Sequence, residues 1–169
     1  MQDKESGSVI IFNGEIYNYL ELAQRLKQEG VQFETHCDTE VLLAGWKEWG
    51  EALLSKLDGM FAFAIWDRDS RRLFLARDPF GIKPLYYRPL GRGLLFASEL
   101  NALTASGLGA PEVDPAAVAS YLAWMAVPAP HTIQKGTFSL RAGEAMRYHE
   151  GRLEVVAGWR FSTIPPAQV

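Results

Sequence analysis

Phe12-Asn13-Gly14-Glu15-Ile16-Tyr17-Asn18 closes the apolar run Val9-Ile10-Ile11-Phe12, and how this junction is read decides the fold. Asn-Gly alone signals a hairpin turn between two strands. The residues after it do not alternate like a second strand. Asn18 and Glu21 have capping-box spacing, and Tyr19, Leu22, Ala23 and Leu26 recur at helical intervals. The stretch is therefore read as a buried strand handing over to a helix from about Asn18 to Glu29, with Gly30 placed to end it.

The combination resembles the glutamine-binding loop of the class II glutamine amidotransferase domain found at the front of glutamine-hydrolysing asparagine synthetases. Hydrolysis of a side-chain amide puts negative charge on the carbonyl oxygen, so donors must be fixed in place beforehand. The resemblance assigns that oxyanion role to the Asn13 carboxamide and to the Gly14 N–H, which no Cβ hinders. It makes Glu15 a partner for the α-ammonium of free glutamine, through a charge-assisted contact. Asp38 is the family's second substrate-binding acid. L-glutamine is thus the implied ligand, held by Asn13, Gly14, Glu15 and Asp38.

Downstream, Val31-Gln32-Phe33-Glu34-Thr35 reads as a short strand, and a helix with Leu42, Gly45, Trp46 and Trp49 on one face begins near Asp38. An Asp ahead of such a helix is ordinarily its N-cap, so capping and ligand binding both stay open for Asp38. Cys37 lies between His36 and Asp38, but triad members are brought together by the fold and are rarely sequence neighbours. A lone Cys is ordinarily a small packing residue, which is the default here. A helix over 51–57 precedes Met60-Phe61-Ala62-Phe63-Ala64-Ile65-Trp66, apolar on both alternating faces and so in need of cover on both sides. Leu73-Phe74-Leu75-Ala76-Arg77 returns as its hairpin partner.

Arg77-Asp78-Pro79-Phe80-Gly81-Ile82-Lys83-Pro84-Leu85 and Phe96-Ala97-Ser98-Glu99 extend the resemblance. No chemical step calls for them, beyond Arg77 and Asp78 ordering a loop. Asp114-Pro115 opens a helix expected to turn Val118, Leu122 and Met125 inward. Residues 127–133 read as extended, and two strands come after them around Glu150-Gly151, the second ending at Trp159-Arg160-Phe161.

Composition limits the alternatives. With 48% hydrophobic residues in 169, the chain has ample material for one core. A net charge of −3, made of interspersed charges with no basic block, indicates neither nucleic acid nor an anionic membrane as partner. A single cysteine excludes an internal disulfide, and His36, His131 and His149 lack metal-ligand spacing, so no metal site is expected. No apolar run is long enough to span a bilayer and no signal peptide is evident, which makes the cytoplasm the expected location.

The expected fold is α+β, the four-layer αββα sandwich of antiparallel sheets that the resemblance implies through the N-terminal-nucleophile hydrolases. Residues 1–161 are expected to form part of such a domain, with 162–169 a linker toward a synthetase domain. That domain would be the one needing ATP and Mg, this one no cofactor. In the family, an N-terminal cysteine thiolate attacks glutamine while its own α-amine acts as base, and the ammonia passes to an acceptor. That cysteine is expected upstream of Met1. The chain is accordingly expected to be inactive alone, incomplete at its front, and associated with itself or with a partner covering the exposed sheet. The alternative is a non-catalytic binding module that retains the fold.

Overall fold

The computed structural model describes residues 1–109 and 112–158. The expected linker at 162–169 and strand residues Trp159, Arg160 and Phe161 lie outside the described residues.

Strand β1 (Val9–Ile16) leads into α1 (Tyr19–Gln28) and then α2 (Asp38–Trp49). A 3-10 helix, Gly50–Lys56, stands where a helix was expected over 51–57. The hairpin β2 (Gly59–Asp67) and β3 (Arg72–Arg77) comes next, with β4 (Tyr86–Leu90) and β5 (Gly93–Ala97) after it. The chain continues through α3 (Leu100–Ala105), α4 (Pro115–Trp124), the short β6 (Phe138–Ser139) and the final hairpin β7 (Glu144–His149) and β8 (Arg152–Gly158). Positive φ at Glu150 and Gly151 makes the last turn tight.

Two antiparallel sheets result, a five-stranded one in the order β1-β2-β3-β7-β8 and a three-stranded one in the order β5-β4-β6. The alternation along β2 shows how they stack. Phe61, Phe63 and Ile65 point into a core shared with Leu22 and Leu26 of α1 and Val41 and Leu42 of α2. Ala62 and Ala64 point the other way, against Leu75, Met146, Leu85 and Leu140. Large side chains meet the helices, and alanines leave room for the second sheet. The expectation that β2 is covered on both faces therefore holds.

The residues of β4 complete the layering. Tyr87 joins the inter-sheet core, whereas Arg88, also buried, lies on the opposite face of β4 and donates to Gln134 Oε1 at 2.7 Å, and Gln134 in turn reaches Thr104 of α3. Tyr86, on the opposite face from Tyr87, lines a groove with Leu100 of α3 and Tyr121 of α4. The order is helices, sheet, sheet, helices, the expected αββα sandwich.

Three local expectations are corrected. Residues 31–35 form no strand: the Glu40 carboxylate accepts from the N–H groups of Glu34 and Thr35, each at 2.7 Å, and so takes the donors a ladder would need. Val31 and Phe33 still pack against the core. Helix α4 begins as expected, with Asp114 Oδ1 accepting from Ala116 N at 2.9 Å. However, Leu122 and Met125 are 75% and 74% exposed, because α4 buries Ala117 instead and Met125 lies past its last turn in a left-handed conformation. A helix apolar all round gives no periodic signal for the buried face. Residues 127–133 are not extended throughout, since His131 N bonds back to Pro128 O at 3.1 Å to close a turn.

Candidate functional site

The end of β1 is shaped by two glycines. Gly14 lies opposite Phe61 with φ of 154°, and a Cβ there would come 2.2 Å from Met60 O. Gly59, opposite Ile16, would likewise bring a Cβ 2.3 Å from Glu15 O. Glycine is therefore required at 14 by the packing of β1 on β2, whatever else the position does.

β1 is an edge strand. Ile10 N donates outward to Met1 O at 2.9 Å, and Ile16 N donates outward to Asp38 Oδ2 at 3.2 Å. By the two-residue period of a strand, the N–H groups of Phe12 and Gly14 face this same edge. Met1 and Gln2 pair only with the beginning of β1, and no strand among the described residues lies beyond Phe12 to Gly14. Asn13 and Glu15, both exposed, share the sheet face turned away from α1 and α2.

Asp38 is the first residue of α2, one past the N-cap position, which Cys37 occupies without a side-chain cap bond. The Asp38 carboxylate instead reaches back to Ile16, the residue after Glu15, so of the two open readings the side chain does not act as an N-cap. Asn13 Nδ2, Gly14 N and the Glu15 carboxylate thus belong to the end of β1, and Asp38 meets the same strand at Ile16 N. Asn13 Nδ2 also donates to Ser98 Oγ at 3.1 Å, a tie across to the residue after β5.

The surroundings hold this corner still. Asn18 forms no capping box; its carboxamide donates to Lys56 O at 2.8 Å and accepts from Asp58 N at 3.0 Å, clamping the start of α1 to the segment entering β2. Glu40 braces the turn before α2 through Glu34, Thr35 and the Thr35 hydroxyl. Burial pushes the Glu40 carboxyl up, but the Thr35 hydroxyl and the two N–H donors outweigh it and hold its pKa below the usual carboxylate value. Sequence reasoning missed Glu40, whose role depends on a turn that reads as a strand.

Cys37 is half-buried, with Sγ 3.1 Å from Thr35 Oγ1. The six residues from Asp78 to Lys83 form a tightly held loop. The fully buried Asp78 carboxylate accepts from the N–H groups of Phe61, Phe80, Ile82 and Lys83 at 2.9 to 3.3 Å. Arg77 donates to the carbonyls of Lys83, Gly81 and Leu140 and to Ser139 Oγ. The expected loop-ordering role of these two residues is met. Among the described residues no group of three or more His, Cys, Asp or Glu could hold a metal ion, and no helix is long and apolar enough to cross a membrane. A cavity of about 680 Å³ lies between residues 1–5, the α1–α2 connection and α2, and neither Asn13 nor Asp38 lines it.

Comparison with known proteins points to one family. The sequence family described as a glutamine amidotransferase domain matches residues 1–159. The glutamine-hydrolyzing asparagine synthetase 1 of Bacillus subtilis is 48% identical over 124 residues, 73% of this chain and 20% of that protein. A putative glutamine-hydrolyzing asparagine synthetase of Mycobacterium tuberculosis is 44% identical over 153 residues, 88% of this chain and 23% of that protein. The chain therefore spans less than a quarter of the length of these relatives. Among solved structures, the glutamine phosphoribosylpyrophosphate amidotransferase of B. subtilis, complexed with ADP and GMP, superposes with a TM-score of 0.64 at 22% identity, covering 92% of this chain and 30% of that one. At that identity the likeness speaks for the fold.

Proposed function

Because the chain belongs to the glutamine amidotransferase domain family, we propose that its β1 corner binds L-glutamine for hydrolysis to glutamate and ammonia, the ammonia serving an acceptor in an asparagine synthetase-like protein. The observation that carries this reading is the Asp38–Ile16 hydrogen bond, which draws the start of α2 to the end of β1 beside Glu15. Two carboxylates at one corner suit an α-ammonium, and neither is consumed by an ion pair among the described residues.

In this reading the glutamine amide carbonyl lies at the open edge, where Gly14 N–H and the Asn13 carboxamide receive the charge of the tetrahedral intermediate. An edge strand can offer Gly14 N–H to a ligand, since no strand among the described residues consumes it. Glu15 and Asp38 hold the ammonium and so fix which amide presents itself. The nucleophile in the family is a cysteine thiolate whose α-amine takes the proton. Cys37 does not fit that role: its amine is a peptide N–H, which donates to Thr35 Oγ1 at 3.3 Å. We infer that this chain binds glutamine but does not release ammonia by itself. A cytoplasmic setting belongs to the same reading.

Calorimetric titration with L-glutamine tests it. Binding lost in both Glu15→Gln and Asp38→Asn, with unchanged unfolding curves, is the expected result. Equal binding by wild type and both variants refutes the assignment. Ammonia release abolished by Cys37→Ser would overturn the exclusion of Cys37.

A further inference from the structure

Phe96-Ala97-Ser98-Glu99 marks the family without an evident task, and Ser98 supplies one. Its Oγ is the acceptor for Asn13 Nδ2 at 3.1 Å, across 85 positions and from one sheet to the other. We propose that Ser98 is a positioning residue for Asn13, holding the carboxamide so that its donor faces the substrate oxygen. This rests on the reading that Asn13 is an oxyanion donor.

A carboxamide has two N–H donors and one acceptor. On an exposed residue such as Asn13 it rotates freely about χ2, which is broad and nearly two-fold, and half of those orientations turn Oδ1 toward the developing negative charge. With Ser98 Oγ accepting one N–H, as it does here, Oδ1 is turned away from that contact and the second N–H stays free for the substrate oxygen. Donors aimed in advance are what make an oxyanion site effective.

Ser98 is suited to act as that fixed point. It is half-buried, Ala97 before it pairs with Tyr86 in β4, and α3 starts two residues later with Leu103 buried. Tyr86 also pairs with Ser139, which accepts from Arg77. The rigid Arg77–Asp78 cluster thus braces the strand pair that carries Ser98. Both family-marking motifs then converge on the orientation of one side chain.

The test pairs an NMR readout with a binding readout on the chain as it stands. In Ser98→Ala, the two Asn13 side-chain N–H resonances, assigned by their loss in Asn13→Ala, are expected to move to the positions of a freely solvated amide. The glutamine Kd is expected to rise roughly three- to tenfold, the range of one net neutral hydrogen bond. Ser98→Thr, which keeps the hydroxyl, restores both readouts. Ser98→Cys keeps the shape with only a weak sulfur acceptor, and gives the same loss should the alanine variant fail to fold. In an Asn13→Ala background, Ser98→Ala adds nothing if the two act as one unit, whereas additive losses overturn the proposal. A wild-type Kd in Ser98→Ala overturns it as well. If wild type binds no glutamine while the Asn13 resonances still respond to Ser98→Ala, the functional reading fails and Ser98 is a tie between sheets without a substrate role.

Discussion

Replacing Asp78 by alanine removes an acceptor that four backbone N–H groups share, and the structure gives the scale of the loss. The carboxylate is fully buried and its four hydrogen bonds measure 2.9 to 3.3 Å. The N–H groups of Ile82 and Lys83, part-buried, lose this acceptor outright; those of Phe61 and Phe80 lose one acceptor each. A donor left unmet costs about 1–3 kcal/mol, less where water can reach it. Two such donors, with the weakening at Phe61, put the loss at about 3–5 kcal/mol. That is a large part of the about 5–15 kcal/mol by which domains are stable. Guanidinium unfolding of wild type and Asp78→Ala, followed by circular dichroism, measures it. Amide exchange at Ile82 and Lys83 should accelerate in the variant under native conditions, reporting the loop itself. A variant within about 1 kcal/mol of wild type, with unchanged exchange at both amides, would refute the view that this carboxylate organises the loop.

Gly14→Ala should lower stability by at least about 2 kcal/mol, since a Cβ 2.2 Å from Met60 O forces strands apart at a positive φ; an unshifted melting temperature would show that β1 can move. Glu40 has a pKa depressed in the fold, so its stabilising contribution is present above its unfolded pKa and is lost as pH falls through the lower folded value. Glu40→Gln should therefore be less stable than wild type at pH 7, with the gap closing below about pH 4; a gap independent of pH in urea titrations would count against this. Sedimentation at micromolar concentration should show species larger than a monomer, reduced by Leu122→Lys and Trp124→Lys, whose parent side chains are 75% and 76% exposed; a clean wild-type monomer would end that expectation.

How far the sequence can be read depends on how local each signal is. The handover from β1 to α1 and the double-faced apolar run of β2 depend on period and burial, which neighbouring residues encode directly. The turn before α2 reads wrongly because Val31 and Phe33 alternate like a strand, while the decisive acceptor, Glu40, sits five residues beyond Thr35. At the site, residue types are legible in Asn13, Gly14, Glu15 and Asp38, but their supports are not. Asn18 looks like a helix cap until the Lys56 and Asp58 backbone is brought beside it, and Ser98 meets Asn13 only because two sheets stack. Contacts between distant segments leave no periodic trace in either one.

The position of the candidate site on an edge strand has a physical reason with a consequence for association. An interior strand such as β2 has both its edges committed to neighbours, so only an edge can turn a backbone N–H toward a ligand. An open edge also invites other strands to pair. Among the described residues the opening is narrow, because Met1 takes the N–H of Ile10 and Asp38 takes that of Ile16, leaving the N–H groups of Phe12 and Gly14 facing outward. Two donors are enough for one small ligand but fall well short of the roughly five or six residues of an ordinary strand. Strand addition at β1 should therefore contribute little to self-association. The apolar surface of α4 is the stronger candidate, with Leu122, Trp124 and Met125 each about three-quarters exposed. Lysine substitutions on α4 should accordingly dissociate oligomers while leaving the proposed glutamine binding at β1 intact. Loss of binding in step with dissociation would mean instead that the two surfaces are one.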